Sequence, residues 1–202
     1  MKLIIKDLSK AYSTHKIFEN LSLFFAQGVN YLVAPNGAGK STLLKIIAEI
    51  EKKDKGEIYF NGELEKFSSY GSYIPDKMTM YPFITGKEFI ELICQAKNSF
   101  KMQSNIEAMI ADFNIRQYMS VPFAKMSLGT QKKFFIIAGL MGEFSCLLMD
   151  EPSNAIDKHS MEIIISYLKK LSGDKLILIA THDQHLQTQL PGKTFNILNN
   201  DI

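Results

Sequence analysis

The sequence predicts a mixed α/β fold in which a parallel sheet is covered by helices on both faces. Short, continuously apolar segments such as Cys146 to Met149 and Leu176 to Ala180 are typical of strands buried on both sides. Segments with apolar residues at helical spacing alternate with these strands, which is the order that crossover helices produce. A glycine-rich segment, residues 34–42, follows one strand and opens a helix. In such a sheet, ligands bind at the carboxyl ends of the strands.

Length and composition place the chain among single globular domains. Its 202 residues fit one domain or one domain with an insertion, and 46% of them are apolar, enough to bury a core. The net charge of +2 is too small to indicate a nucleic-acid partner, and we expect none. No apolar stretch of about 18 residues predicts a membrane span, and no signal peptide is expected. Cys94 and Cys146 lie far apart in apolar segments, which favours a reducing cytosol over a disulfide framework.

The first part of the chain contains short apolar segments bounded by turn residues, which predict strands. They are Lys2 to Leu8, Leu21 to Phe25, Asn30 to Ala34 and Glu57 to Phe60. The dipeptide Asn61-Gly62 follows the last of them and is typical of a β-hairpin turn. A helix is expected from Ser41 to Ile50, directly after the glycine-rich segment.

The middle of the chain is rich in helical patterns. Thr85 to Glu88 has the spacing of a capping box, and apolar residues recur at helical spacing after it. Ser104 to Glu107 repeats this arrangement before a second such segment. Residues 77–140, approximately, are therefore predicted to form a helical insertion between two parts that contain strands.

The last part of the chain alternates strands and helices again. The apolar region from Phe134 to Met149 is interpreted as a buried helix followed by a buried strand. An amphipathic helix is predicted from Lys158 to Leu171, with Gly173 as its C-terminal cap. A final strand is expected from Thr194 to Leu198.

The glycine-rich segment has the composition and context of a phosphate-binding loop. Small residues let consecutive backbone N–H groups point at a phosphate, and the following helix adds the positive end of its dipole. Lys40 is expected to contact the β- and γ-phosphates, and the Ser41 hydroxyl to bind Mg²⁺. Ala34 stands where the pattern begins with glycine, which costs about 1 kcal/mol only if that position needs a positive φ. The predicted nucleotide-binding residues are Asn36, Gly37, Ala38, Gly39, Lys40, Ser41 and Thr42.

Two acidic residues, Asp150 and Glu151, end the apolar strand that begins at Cys146. Because ligands bind at the carboxyl ends of parallel strands, both are expected near the phosphate loop. Asp150 is predicted to hold Mg²⁺, directly or through water. Glu151 is predicted to face the γ-phosphate and to polarise an attacking water.

With these motifs the chain resembles the ATP-binding cassette family, the nucleotide-binding subunits of ABC transporters, over essentially its whole length. Further segments fall in the family's order. Met126 to Thr130 resembles the signature motif, Asn154 to Asp157 the D-loop, Thr181 to Asp183 the switch-histidine motif, and Tyr73 to Asp76 the Q-loop.

The resemblance implies a P-loop NTPase core with a parallel sheet, an N-terminal antiparallel β subdomain and an inserted helical subdomain. It implies one ATPase domain over residues 1–202, with ATP and Mg²⁺ as cofactors. It also implies head-to-tail pairing with a second ABC ATPase subunit, in a homodimer or a heterodimer.

Roles for individual residues follow from the same resemblance. Ser127 and Gly129 would close over the γ-phosphate held by the other subunit, and Asp157 would link the two sites. His182 would donate a hydrogen bond to the γ-phosphate and, with Lys40 and Glu151, belong to the catalytic set. Tyr12 stands where the family places an aromatic residue that stacks on adenine.

The family's partner is a transmembrane permease, so the resemblance implies a cytoplasmic subunit held at the inner face of the cell membrane. The groove for a permease helix is expected to involve exposed Met and aromatic side chains. The residues are Asp76, Met78, Met80, Tyr81, Pro82 and Phe83. The relaxed signature and the acidic Q-loop position favour an exporter by analogy.

The sequence departs from the family at the Q-loop and in the signature. Leu128 and Thr130 replace a glycine and a glutamine, and Asp76 stands where glutamine is usual. A carboxylate at position 76 still binds Mg²⁺ or its water, but it adds negative charge near the γ-phosphate. We expect Asp76 to alter the Mg²⁺ dependence of hydrolysis.

Two other classes of function remain open at the level of sequence. The first is a soluble cassette ATPase in an assembly or regulatory complex, which the absence of cysteine clusters and coiled-coil arms disfavours. The second is a P-loop kinase acting on a small molecule, which has no need of Ser127, Gly129 and His182. A Glu151→Gln variant distinguishes a cassette, which would be trapped as an ATP-bound dimer, from a kinase.

Overall fold

Two sheets organise residues 1–13, 15–97 and 103–198, which the structure, a computed structural model, describes. The strands are β1 (Lys2–Tyr12), β2 (His15–Ala26), β3 (Gly28–Val33), β4 (Lys55–Phe60), β5 (Gly71–Ile74), β6 (Cys146–Asp150), β7 (Leu176–Ala180) and β8 (Lys193–Asn196). The helices are α1 (Lys40–Ile47), α2 (Phe67–Tyr70), α3 (Gly86–Ala96), α4 (Gln103–Asp112), α5 (Leu128–Leu140), α6 (Lys158–Leu171) and α7 (Gln184–Gln189). Short 3₁₀ turns occupy Arg116–Tyr118 and Phe123–Lys125.

The smaller sheet is antiparallel and has the strand order β2-β1-β4. The predicted turn after β4 is present, since Phe60 and Glu63 exchange backbone hydrogen bonds of 2.9 and 3.0 Å around Asn61 and Gly62, both at positive φ. Beyond this single bridge, none of the described strands pairs with β4 across the turn; β4 pairs with β1 instead. The Asn-Gly signal therefore predicted the turn correctly, but not a hairpin.

The larger sheet is parallel and separates two hydrophobic cores. Along β6, Cys146 and Leu148 pack toward α1 and the antiparallel sheet, whereas Leu147 and Met149 pack toward the layer of α3 to α6. All of these side chains are fully buried. Successive side chains of a strand point to opposite faces of the sheet, and here both faces are buried. This is why β6 and β7 are continuously apolar.

The order of the parallel strands, β5-β6-β7-β3-β8, differs from their order in the sequence. Strand β7 lies between β6 and β3, and the register places Ala180 beside both Asp150 and Leu32. The carboxyl ends of β5, β6, β7 and β3 therefore meet at one edge of the sheet. Each of these ends continues directly into a segment with a predicted functional residue.

Helix boundaries agree with the predicted caps at some ends and not at others. Thr85 and Glu88 form the predicted capping box of α3. Helix α4 begins at Gln103, next to residues that are not described. The Ser104 side chain lies outside the described residues, so the second capping box, Ser104 to Glu107, stays a prediction. Gly173 does not cap α6 with a left-handed turn, because the chain leaves the helix through Ser172 in right-handed geometry.

Three smaller findings bear on function. Cys94 and Cys146 are buried and unpaired with each other. Within residues 77–140 the described regular elements are helical, apart from an isolated bridge between Thr85 and Pro122. Among the described helices, none combines the length and the apolar character needed to cross a bilayer.

Candidate functional site at the carboxyl edge of the parallel sheet

A cavity of about 450 Å³ opens at the carboxyl edge of the parallel sheet. The segments that follow β3, β5, β6 and β7 all contribute to its wall. The lining residues are Asn36, Gly37, Gly39, Lys40, Ser41, Thr42, Asp76, Glu151, Asn154 and His182. The tertiary structure thus brings together residues that lie up to about 150 positions apart in the chain.

The phosphate loop has a backbone that depends on glycine at Gly39. This residue precedes α1 at φ 100°, and a Cβ atom there would lie 2.4 Å from a methyl carbon of Ile17. Both the left-handed backbone and the close approach exclude a side chain. Ala34 is not among the described non-glycine residues with positive φ, so replacing the usual glycine there costs little.

Lys40 is buried at the floor of the cavity. Its ammonium donates to the Ala34 carbonyl oxygen at 2.7 Å and lies 2.8 Å from Nε2 of His182. Burial lowers the pKa of Lys40, while the carboxylates of Glu151 and Asp150 act in the opposite direction. Because an ammonium only donates hydrogen bonds, Nε2 of His182 accepts in this contact.

Ser41 and Asp150 form a pair of oxygen ligands at the end of β6. The Ser41 hydroxyl donates to the Asp150 carboxylate at 3.0 Å, and Asp150 is only 3% exposed. Burial raises the pKa of Asp150, opposed by the hydrogen bond from Ser41. A buried carboxylate beside a hydroxyl supplies the hard oxygen donors that Mg²⁺ prefers, so these residues fit that ion.

Glu151 adopts an unusual backbone conformation directly after Asp150. Its φ is 43°, a left-handed value that costs a non-glycine residue about 1–2 kcal/mol. The turn is held by a hydrogen bond of 2.8 Å from its N–H to the Ala180 carbonyl oxygen. The side chain accepts from the His182 N–H at 3.4 Å and stays within 3.7 Å of the imidazole. The strained turn therefore aims the carboxylate into the cavity.

Asp76 reaches the cavity from the end of β5. Its carboxylate accepts a hydrogen bond of 2.8 Å from the side-chain amide of Asn154. On its other side lies Lys132 of α5, whose ammonium donates to the carbonyl oxygens of Pro75 at 3.0 Å and Asp76 at 3.3 Å. Neither Asn154 nor Lys132 was predicted from the sequence to be a site residue.

Ser127 and Gly129 lie at the start of α5 and do not line the cavity. The Ser127 hydroxyl accepts from the Thr130 N–H at 3.2 Å and thereby caps the helix. A Cβ atom on Gly129 would lie 2.5 Å from the Ala155 carbonyl oxygen, so this glycine lets α5 approach the loop after β6. Leu128 between them is 69% exposed.

Asp157 and Tyr12 are two further predicted site residues that do not line the cavity. Asp157 caps α6 and forms an ion pair of 2.8 Å with Lys133. The contact with Lys133 lowers the pKa of Asp157 well below its usual range. Tyr12 is 44% exposed, and the Lys10 ammonium lies 4.6 Å from the centre of its ring.

The arrangement has the parts of a nucleotide site, and comparison with known proteins identifies its family. A sequence model described as "ABC transporter" matches residues 18–154, more than half of the chain. The chain belongs to the ABC transporter family. The resemblance stated from the motifs is therefore confirmed.

Two relatives among those found show how this cassette relates to longer proteins. The ribose import ATP-binding protein RbsA of Streptococcus agalactiae is 29% identical, over 85% of this chain and 38% of RbsA. The molybdate/tungstate import ATP-binding protein WtpC of Methanocaldococcus jannaschii is 31% identical, over 89% of this chain and 62% of WtpC. This cassette spans about two fifths of the length of RbsA.

Solved structures confirm the fold class. A structure described as the ATP-binding subunit of an ABC transporter has a TM-score of 0.87 at 22% identity, covering 97% of this chain and 85% of that one. The dimeric structure of MJ0796, a bacterial ABC transporter cassette, has a TM-score of 0.81 at 21% identity, covering 96% and 94%. The mixed α/β core with its parallel sheet and its additional antiparallel sheet is thus the cassette architecture.

Proposed function

We propose that this chain binds MgATP, hydrolyses it and drives a separate transmembrane permease. One observation carries the proposal. The ends of four adjacent parallel strands bring Lys40, Asp76, Glu151 and His182 into one cavity behind a phosphate loop. Membership of the ABC transporter family supports the same activity.

The phosphate loop and the buried oxygen ligands would share the binding of the nucleotide. Backbone N–H groups of the loop and the start of α1 bind phosphate oxygens, and Lys40 supplies a positive charge. Ser41 and Asp150 would hold Mg²⁺, with Asp76 as a further ligand from β5. The ion would supply positive charge that neutralises charge on the phosphates.

Glu151 and His182 are placed to handle the attacking water. Glu151 accepts a proton or orients the water, and its strained backbone holds it in the cavity. Lys40 and His182 contact each other at 2.8 Å, and both are proposed to contact phosphate. Binding of ATP would therefore replace this internal contact by two hydrogen bonds to the γ-phosphate.

A second cassette would complete each site across a head-to-tail interface. Ser127 and Gly129 lie outside their own cavity, which supports a role toward the nucleotide of a partner, in a homodimer or a heterodimer. The exposed Leu128 would be covered in that contact. Asp157 is engaged by Lys133, and we propose that it links the two sites from this fixed position. The structure of MJ0796 is itself described as dimeric.

Tyr12 is proposed to stack on the adenine ring. It ends β1, and one face of its ring is covered by the Lys10 ammonium. Lys10 in turn forms an ion pair of 2.8 Å with Glu51. This arrangement orients the aromatic ring and leaves 44% of the residue exposed.

A groove of about 510 Å³ is proposed to receive a helix of the permease. It lies between the end of β5 and helices α3 and α5, and Phe89, Ile93 and Phe135 give it an apolar floor. None of the six residues predicted for the permease groove lines it, although Lys77 between them does. Tyr81 and Phe83 instead stack on each other and do not line the groove. They are 65% and 72% exposed and follow the groove residues Pro75 and Lys77 in the sequence.

The domain assignment and the location follow from the same proposal. Residues 1–202 would form one ATPase domain in which residues 77–140 are the helical subdomain. The chain would act in the cytoplasm, bound to the inner face of the membrane through its permease. Export remains the proposed direction from the signature and Asp76, whereas RbsA and WtpC are named as import proteins.

The first experiment uses tagged Glu151→Gln protein, purified from its native cells in mild detergent with MgATP. We expect an ATP-dependent dimer by size-exclusion chromatography and a co-purified polytopic membrane protein, identified by mass spectrometry. Glu143→Gln is the matched control, because Glu143 is exposed and does not line the cavity. It should form neither the trapped dimer nor the trapped complex.

The alternatives predict other results. A soluble assembly ATPase would form the ATP-dependent dimer but recover only soluble proteins. A small-molecule kinase would form no ATP-dependent dimer at all. The class of permease recovered decides between import and export.

A further inference from the structure

Lys132 is a buried ammonium that the catalytic roles above do not use. Its side chain is 1% exposed and lies in α5, the helix that begins beside Ser127. Burial of an ammonium is costly unless carbonyl or carboxylate oxygens compensate it. Two carbonyl oxygens and the Asp76 carboxylate, at 4.0 Å, do so here.

The carboxylates that act on Lys132 are those of the nucleotide site. Burial lowers the pKa of Lys132, and Asp76, Asp150 and Glu151 oppose that effect in this order. The ammonium therefore lies within electrostatic reach of the whole acidic wall of the cavity. It stands behind that wall, because it is buried and does not line the cavity.

Asp76 connects three segments that are distant in sequence. Its carboxylate accepts from Asn154 in the loop after β6, and Lys132 of α5 holds its carbonyl oxygen. A neutral side chain at position 76 would need no compensating ammonium. Negative charge at this wall repels the negatively charged triphosphate. Between charges a few ångströms apart in a partly buried site, this repulsion is strong enough to be measured.

We propose that Lys132 is a positioning residue for the nucleotide site: it holds Asp76 against Asn154 and compensates the negative charge that Asp76 adds beside the γ-phosphate. This inference rests on the proposed binding of MgATP in the cavity. It explains how an acidic residue is tolerated at the point where the terminal phosphate is expected. The contact also connects the segment that follows β5 to α5, the helix that begins with the signature residues.

The test compares the affinities for MgATP and MgADP by isothermal titration calorimetry. Lys132→Gln keeps a hydrogen-bond donor for the two carbonyl oxygens but removes the charge. We expect it to weaken MgATP binding about tenfold and MgADP binding much less, because only ATP has the γ-phosphate. Lys125→Gln, at an exposed lysine of the neighbouring 3₁₀ turn, makes the same charge change and should alter neither affinity.

Rescue separates this role from simple support of the fold. In the double variant Asp76→Asn with Lys132→Gln, both charges are absent, and we expect the ratio of the two affinities to return to the wild-type value. Asp76→Asn alone should raise the ratio of MgATP to MgADP affinity, because Asp76 would hold Mg²⁺ in both complexes but repels the γ-phosphate only in the first. Thermal unfolding of each variant reports stability independently of these ratios.

The outcomes are distinguishable. If the wild-type protein does not bind MgATP, the proposed function itself is wrong. If it binds, but Lys132→Gln weakens both nucleotides equally or the double variant shows no rescue, Lys132 only stabilises the fold. Should Lys132→Gln not fold, Asp76→Asn alone still decides, since an unchanged preference for MgATP overturns the proposal.

Discussion

The phosphate-loop side and the signature side of this cassette are built in different ways. On the phosphate-loop side, Lys40 and Asp150 are 7% and 3% exposed, and Glu151 is held in a strained turn. On the signature side, Leu128 is 69% exposed, and the Ser127 hydroxyl is occupied by its own helix cap. One half-site is a formed cavity in the core, and the other is an exposed helix end.

In the proposed head-to-tail dimer, this difference would divide the work of one ATP site between two chains. Groups that must be charged and oriented lie on the ends of buried strands, where packing holds them. Groups that must approach from a second chain lie at the surface, where only local hydrogen bonds hold them. The phosphate-loop side should therefore determine affinity for the nucleotide, and the signature side should determine assembly.

The largest expected effect is on the phosphate-loop side. Lys40→Met removes the buried charge, and we expect MgATP binding to weaken about 100-fold, equivalent to about 2.7 kcal/mol. The midpoint of thermal unfolding without nucleotide should not fall, because burial already disfavours the Lys40 charge. Lys53→Met, at an exposed lysine, is the control and should change neither measurement. If Lys40→Met binds MgATP with wild-type affinity, the phosphate-loop side does not determine the affinity for the nucleotide.

Gly129→Ala tests how closely the signature helix approaches the loop after β6. The added Cβ would lie 2.5 Å from the Ala155 carbonyl oxygen, and overpacking of this kind costs about 1–3 kcal/mol. We expect a lower unfolding midpoint and weaker ATP-induced dimerisation. Gly173→Ala is the matched control, because nothing lies within 4 Å of its Cβ position and its φ is not left-handed. Equal behaviour of the two variants would contradict the close approach.

Ser127→Ala separates helix capping from assembly. Loss of the cap should lower the free energy of unfolding by about 1 kcal/mol. Thr85→Ala removes a similar cap from α3 and should lower it by a similar amount. Only Ser127→Ala should weaken ATP-induced dimerisation, measured by analytical ultracentrifugation in the Glu151→Gln background. If Thr85→Ala weakens it equally, the effect reflects stability alone.

The smallest expected effect is a change in the pH dependence of stability. Because burial raises the pKa of Asp150, the folded state binds a proton that the unfolded state has already released. The contribution of Asp150 to stability therefore falls as the pH rises from the ordinary value of 3.8 through the raised pKa. Asp150→Asn should remove this fall and be more stable than wild type at neutral pH without nucleotide. Thermal unfolding across this range measures it, and parallel profiles would contradict the assignment.

Asp150→Asn should also lose the additional stabilisation that Mg²⁺ gives to the complex of the protein with ATP. An amide at position 150 keeps the shape of the side chain but not its charge, so it is a weaker ligand for the ion. Stabilisation by ATP without Mg²⁺ should remain.

The sequence by itself determined the features that depend on neighbouring residues. The phosphate loop from Asn36 to Thr42, the capping box at Thr85 and the turn at Asn61 are patterns of a few consecutive residues, because their hydrogen bonds are local. The buried strands β6 and β7 were predicted for a similar reason, since contact on both faces requires continuous apolar residues.

Only the tertiary structure decided which of these features meet. The insertion of β7 between β6 and β3 places His182 beside Lys40, 142 positions away, and no local pattern encodes that order. The contact of Lys132 with Asp76 was missed for the same reason, because a lysine in a helix carries no sequence signal for its partner. Long-range pairing depends on how two cores pack on one sheet, and that free energy is distributed over the whole chain.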